Sequence, residues 1–211
     1  MAYDLEEQEK LDALRAWWDR YGTLIVIVFV GAVLIFAGVR AWQWYQGHQA
    51  SQAMGYFEAL ENAAVQQSED SLPRIKAASE TLRKDFPDSG YTSRGVLIAA
   101  AALKAKGDLD GARQQLDWLI AKGDDPALVP LARLRLAGIL LEQQKYDEAL
   151  AQIDAAPPAF EGLFADRRGD ILAAQNKKDE AVQAWQTAVT QLGDDPLVQV
   201  IQLKIDANGG A

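Results

Sequence analysis

One stretch of the chain breaks the usual mixture of apolar and polar positions. Between Arg20 and Arg40 lie 19 residues, YGTLIVIVFVGAVLIFAGV, with no charge. At ~1.5 Å rise per residue they span roughly 28 Å as a helix, close to the ~30 Å hydrocarbon thickness of a bilayer. Aromatic residues flank both ends: Trp17, Trp18 and Tyr21 before, Trp42, Trp44 and Tyr45 after. Amphipathic rings of this kind prefer the headgroup level. The pattern predicts a transmembrane helix over residues 21–39. A cleaved signal peptide would have a shorter apolar region and a small-x-small site after it. Here the run ends in Gly38-Val39-Arg40-Ala41-Trp42, so an uncleaved signal-anchor is expected. Gly31 and Gly38 do not form a GxxxG motif, so they carry only a weak self-association signal.

The flanking charges set a direction. Lys10, Arg15 and Arg20 precede the run, whereas only Arg40 follows it before Arg74. The positive-inside rule counts Lys and Arg and gives Asp and Glu little weight. It places residues 1–20 in the cytoplasm and exports residues 40–211. Within residues 4–20, Leu11, Leu14, Trp18 and Tyr21 fall on one helical stripe and Glu6–Lys10 is an i,i+4 pair. This predicts a juxtamembrane helix at the interface, with a docking handle for a cytosolic partner as the other reading.

From residue 41 onward the apolar spacing is helical and the composition favours helix formers such as Ala, Leu, Gln, Glu and Lys. The predicted exit helix runs to about Gln67, with Met54, Phe57, Leu60 and Ala64 as its buried stripe. A second helix covers about 71–86, and hairpins follow at about 91–122, 126–156 and 160–192. A last helix from Asp195 to about Ala207 caps the stack through Leu197, Val200, Ile201 and Ile205. The tail Asn208-Gly209-Gly210-Ala211 is expected to fray. Gly47 and Gly55 interrupt the exit helix and are candidate pivots.

A repeat lies beneath this layout. Two Gly-Asp-Asp-Pro stretches, beginning at Gly123 and Gly193, lie two 35-residue periods apart. Ala100 and Ala112, Ala137 and Ala149, and Gly169 and Ala181 are small residues at one common spacing. Leucines follow each first member at Leu103, Leu140 and Leu172. Large apolar residues follow each second member at Leu116, Ile153 and Trp185. Asp110, Asp147 and Asp179 open the second helices, whose positive ends favour acids. The pattern resembles the tetratricopeptide repeat in degenerate form: Ala99, Leu136 and Arg168 stand before the small position, where the signature residues are missing or replaced.

Composition narrows the function. The 211 residues include no cysteine, one histidine and a net charge of −9. Thiolate metal sites, cysteine nucleophiles and histidine-rich centres are therefore poorly supplied. The acidic balance argues against nucleic acid, which needs clustered Lys and Arg. His48 sits among Gln and Gly, with no oriented partner visible in its local sequence. No Walker loop, GxSxG, HExxH or GxGxxG is present. No enzyme, metal or cofactor is expected. Arg167-Arg168 and Lys177-Lys178 make a small basic neighbourhood, read first as solvated surface.

In tetratricopeptide geometry the first helices line a concave groove. Its candidate positions are Arg94, Leu97, Ala101 and Lys104, then Leu131, Leu134, Gly138 and Leu141, then Leu163, Asp166, Asp170 and Ala173. The middle set is apolar and suits a hydrophobic client segment or partner helix. Packing between adjacent repeats is the alternative reading of its leucines.

The whole chain resembles the YfgM family, most specifically in EEQEKLDALRAWWDRYG, the anchor, and RAWQWYQGHQASQAMGYFEAL. The resemblance implies an all-α, tetratricopeptide-like protein of the Gram-negative inner membrane, with its C-terminal domain in the periplasm. It implies an ancillary subunit at the exit of the SecYEG translocon. Its partners would be a PpiD-type membrane-anchored foldase, periplasmic chaperones and their clients. The family's link to a cytosolic response regulator gives the alternative, an envelope-stress regulator acting through residues 1–20.

Overall fold

The computed structural model describes residues 2–66, 68, 70–122 and 125–209, with side chains from residue 9 onward. Among the described residues all regular structure is helical. The helices are α1 (Ala2–Val65), α2 (Ser71–Asp85), α3 (Gly90–Ala105), α4 (Leu109–Lys122), α5 (Leu128–Glu142), α6 (Tyr146–Gln152), α7 (Glu161–Ala174), α8 (Lys178–Leu192) and α9 (Leu197–Ala207), with a 3-10 turn at Pro158–Phe160. The chain divides into two compact units, Met1–Ser51 and Gln52–Ala211.

The first unit is helix alone. Leu24, Ile27, Phe29, Leu34, Ile35 and Phe36 are all exposed around it. A helix with apolar side chains on every side and no protein cover suits lipid rather than water. Its apolar window is long enough to cross a membrane. Leu11, Leu14, Trp18 and Tyr21 are likewise uncovered. The Glu6–Lys10 pair lies outside the described side chains. His48 stacks on Trp44 with ring centroids 5.6 Å apart and planes 5° from parallel. The helix runs unbroken through Gly47 and Gly55.

The second unit is a tetratricopeptide-like stack of antiparallel helices. Its repeat shows most clearly in the turns. Gly107, Gln144 and Asn176 all take positive φ, at 83°, 57° and 63°. They stand the same distance beyond Ala100, Ala137 and Gly169. Each turn then closes with the same bond: the amides of Asp108, Lys145 and Lys177 donate to the carbonyls of Leu103, Leu140 and Leu172, each at 2.9 Å. A left-handed residue after a helix frees its end carbonyls to accept such bonds, and reverses the chain. The small pairs lie where the hairpins close: Ala112, Ala137, Ala149 and Ala181 have no exposed surface and Ala100 has 2%.

The second Gly-Asp-Asp-Pro stretch ends α8 and starts α9. Gly193 takes φ 58°, and Asp195 Oδ1 accepts the Leu197 amide at 2.8 Å. Asp125 likewise accepts from Ala127 and Leu128, at 2.8 and 3.2 Å. Gly123 and Asp124 lie outside the described residues, as do Gly210 and Ala211 of the tail. Asp110, Asp147 and Asp179 occupy the first turns of α4, α6 and α8. The side chain that bonds the start of α4 is Asp108, whose Oδ1 accepts from the Gly111 amide at 2.9 Å.

Three details differ from the sequence reading. The buried stripe at the end of α1 is Ala53, Leu60 and Ala63, with Phe57 and Ala64 half-buried. Met54 is 44% exposed, because one residue from Ala53 is a ~100° turn of the helix. In α9, Ile201 and Ile205 are buried with Leu197 one turn earlier, whereas Val200 falls off that face and is 50% exposed. The middle hairpin is lopsided: α6 has only 7 residues.

Candidate functional site

The face formed by α3, α5 and α7 carries every groove candidate. Arg94 and Lys104 are exposed on α3. Lys104 pairs with Glu142 at the end of α5, so its charge is engaged by the neighbouring repeat. Leu97 is 5% exposed and belongs to the core, which corrects its placement in an open groove. Its carbonyl accepts from Arg135 Nη1 of α5 at 3.0 Å. Burial holds the Arg135 guanidinium pKa below its ordinary value. Ala101 remains exposed.

On α5, Leu131, Leu134 and Leu141 are half-buried and pack against the main core. Gly138 is buried. A Cβ there would stand 3.7 Å from Arg167 Cζ, so the guanidinium of α7 covers that position. The predicted basic neighbourhood is accordingly divided among separate contacts. Arg167 pairs with Asp170 at 3.3 Å, and Arg168 donates to the Ile153 carbonyl at 3.1 Å. Lys177 and Lys178 are exposed at the turn into α8.

On α7, Leu163 and Ala173 are half-buried, and Asp166 and Asp170 meet α9. Lys204 Nζ lies 2.7 Å from Asp166 Oδ1 and 2.7 Å from Asp170 Oδ1. Trp185 Nε1 donates to the same Asp170 oxygen at 3.3 Å. Lys204 also stands 5.9 Å from the centre of the Trp185 ring. Burial raises the Asp166 carboxyl pKa, only partly opposed by its bond from Lys204. Lys204 is itself half-buried, which disfavours its charge, yet the bonds to Asp166 and Asp170 hold its pKa above the ordinary lysine value. Two of the four candidates on α7, Asp166 and Asp170, are thus tied to the chain's own last helix. Sequence spacing gave no sign of this, since Lys204 lies far along the chain from both acids.

Two exposed cations on α3 adjoin a half-buried leucine strip on α5, followed by an acidic region engaged by α9.

Comparison with known proteins decides the family. The model described as "Tetratricopeptide repeat-like domain" matches residues 15–210. A Neisseria gonorrhoeae protein named "Ancillary SecYEG translocon subunit" is 31% identical, covering 98% of this chain and 99% of its own. The chain belongs to the YfgM family of tetratricopeptide repeat-like proteins. Relatives of the same name occur in Haemophilus influenzae, at 28% identity over 98% of this chain and 99% of theirs, and in Escherichia coli, at 25% over 95% of both. The YfgM-family likeness therefore spans the apolar helix and the helical array together, not the repeats alone.

Proposed function

We propose that the protein is a non-catalytic scaffold of the Sec machinery, anchored in the bacterial inner membrane by residues 21–39. One observation carries this reading. Among the described residues one lipid-suited helix leads into a tetratricopeptide-like array, and proteins named ancillary SecYEG translocon subunits match 95% or more of the chain. Residues 1–20 are cytoplasmic and 40–211 periplasmic in this account, as the Lys and Arg flanks direct. The array binds periplasmic chaperones, a PpiD-type foldase and emerging clients through the face of α3, α5 and α7. Tethering beside the channel raises the local concentration of array and client, so weak contacts suffice.

The test is copurification of the full chain with the translocon in mild detergent. Association is expected, and it should survive deletion of residues 2–16. Loss of association on that deletion would favour the cytoplasmic-segment reading. No association of the intact chain would refute the scaffold.

A further inference from the structure

The last helix of the array is uncovered on a side that the earlier hairpins cover. Beyond α1, the large exposed apolar side chains among the described residues are Val200 and Leu203, at 50% and 68%, and both belong to α9. With the exposed Ala207 they stand at i, i+3 and i+7, on one stripe of the helix. The end of a helical array needs a polar outer face to stay solvated, and this stripe departs from that need.

The repeat itself says what belongs there. Ala207 stands as far beyond Gly193 as Ala137 stands beyond Gly123, so the two Gly-Asp-Asp-Pro stretches put Ala207 at the small position of a first helix. In α7 that position is Gly169, and Gly162 precedes it by the same interval as Val200 precedes Ala207. Both glycines face the second helix of their hairpin. A Cβ on Gly162 would stand 2.6 Å from Leu192 Cγ of α8, and one on Gly169 2.7 Å from Trp185 Cε2. Large side chains of an antiparallel helix therefore pack over small positions of the first. In α9 the corresponding side, Val200, Leu203 and Ala207, is open to solvent.

A second α9 meets that requirement. A two-fold axis beside Leu203, perpendicular to the helix, sets two copies of α9 antiparallel and brings the same patch together from both. Each Val200 then lies over Ala207 of the other copy, large over small in both directions, and the two Leu203 side chains meet at the axis. The charges agree with this pairing. Asp206, at the edge of the stripe, is bonded by Gln202 at 3.0 Å, and it comes level with Gln199 and Gln202 of the other copy rather than with a second acid. Lys204 is turned toward Asp166 and Asp170. We propose that α9 pairs with α9 of a second copy of this chain through Val200, Leu203 and Ala207, so that each supplies the helix the other lacks. One helix pair buries less than the ~1,200 Å² of a stable complex. The pairing therefore draws on both chains being anchored in one membrane, which raises their effective concentration.

The experiment is disulfide trapping of the full chain in isolated membranes. The chain has no cysteine, so an introduced one reports alone. Single-cysteine chains carrying different epitope tags are coexpressed and oxidised. Leu203→Cys should give a linked product that contains both tags. Val200→Cys coexpressed with Ala207→Cys should do the same. Each of those two variants with itself should give far less, because like positions lie roughly 10 Å apart along the paired helices. Gln186→Cys, exposed on α8, is the reference and should give little product. Adding Val200→Asp to Leu203→Cys should abolish the product while the circular dichroism melt stays unchanged, since Val200 is 50% exposed. Should that double variant not fold, the Val200 and Ala207 pairing decides alone. The proposal is overturned by a Leu203→Cys product no greater than that of Gln186→Cys, or by one that a folded Val200→Asp variant leaves intact. It is equally overturned if Val200→Cys links to itself as well as to Ala207→Cys, or if the trapped product holds a different protein in place of the second tag.

Discussion

Trp185 fills the space where Gly169 has no side chain. A Cβ on Gly169 would stand 2.7 Å from Trp185 Cε2 and closer still to Cδ1 and Nε1. The indole is 2% exposed and bonded to Asp170, so it has little room to yield. Gly169→Ala should therefore overpack the third hairpin and cost about 1–3 kcal/mol, read from the thermal melt of the full chain in detergent. Gly55→Ala is the matched comparison. A Cβ there meets nothing within 4 Å. Replacing an exposed helix-interior glycine should raise stability by up to ~1 kcal/mol.

Gln144 has a left-handed backbone without being glycine, at φ 57°. Its counterpart in the first hairpin is Gly107, where the same conformation costs nothing. Gln144→Gly should stabilise the array by up to about 1 kcal/mol. Asn176→Gly should gain less, since asparagine tolerates this region better. A larger gain at Asn176 than at Gln144 would contradict the turn assignment.

Lys204 compensates two half-buried carboxylates; removing it leaves Asp166 without its ion-pair partner and Asp170 with only Arg167 and Trp185. Lys204→Met should cost about 1–3 kcal/mol at pH 7. The pH dependence has a definite sign. Lys204 titrates above lysine's ordinary 10.5, so its stabilisation is present at neutral pH and is lost as pH rises through that raised value. The Asp166 pKa is raised by burial, so the folded state binds its proton more readily than the unfolded chain does. In the variant, protonating Asp166 relieves its unmet charge. The gap between wild type and Lys204→Met should narrow as pH falls from 7 into the carboxylate range. A gap independent of pH would mean that Lys204 acts through packing rather than through its charge.

The fold was legible because its signals are local and recur. Small residues at Ala100, Ala137 and Gly169, each followed by a leucine and a polar turn, mark the hairpins without any tertiary information. The apolar run after Arg20 needed only its length and lack of charge. The candidate face was legible only as a register. Spacing put Leu97 on the groove side, but it lies in the core, with its carbonyl bonded by Arg135 of α5. Contacts such as Lys204 with Asp166, Gln115 with Ser79, and Arg167 over Gly138 join distant segments. No periodicity encodes them, because each depends on the angle at which one helix crosses the next. Met54 and Val200 show the smaller error: one residue of slip on a helix turns an apolar side chain from core to solvent.

The orientation of the chain is open to a simple check. A reporter active only in the periplasm, fused after Ala211, should be active, given the bias of Lys10, Arg15 and Arg20 against Arg40. Activity only of a cytoplasmic reporter at that position would reject an exported array.

The central claim is that the array works as a binding surface beside the translocon. Site-specific photocrosslinking in living cells tests it most directly. A photoreactive residue is placed singly at Arg94, Leu131, Leu134 or Leu141, with the exposed Glu58 of α1 as a reference position. The account predicts adducts with translocon subunits, periplasmic chaperones or exported chains from the α3 and α5 positions, and few from Glu58. Adducts from none of the four positions, in a chain that is folded and membrane-inserted, would contradict it.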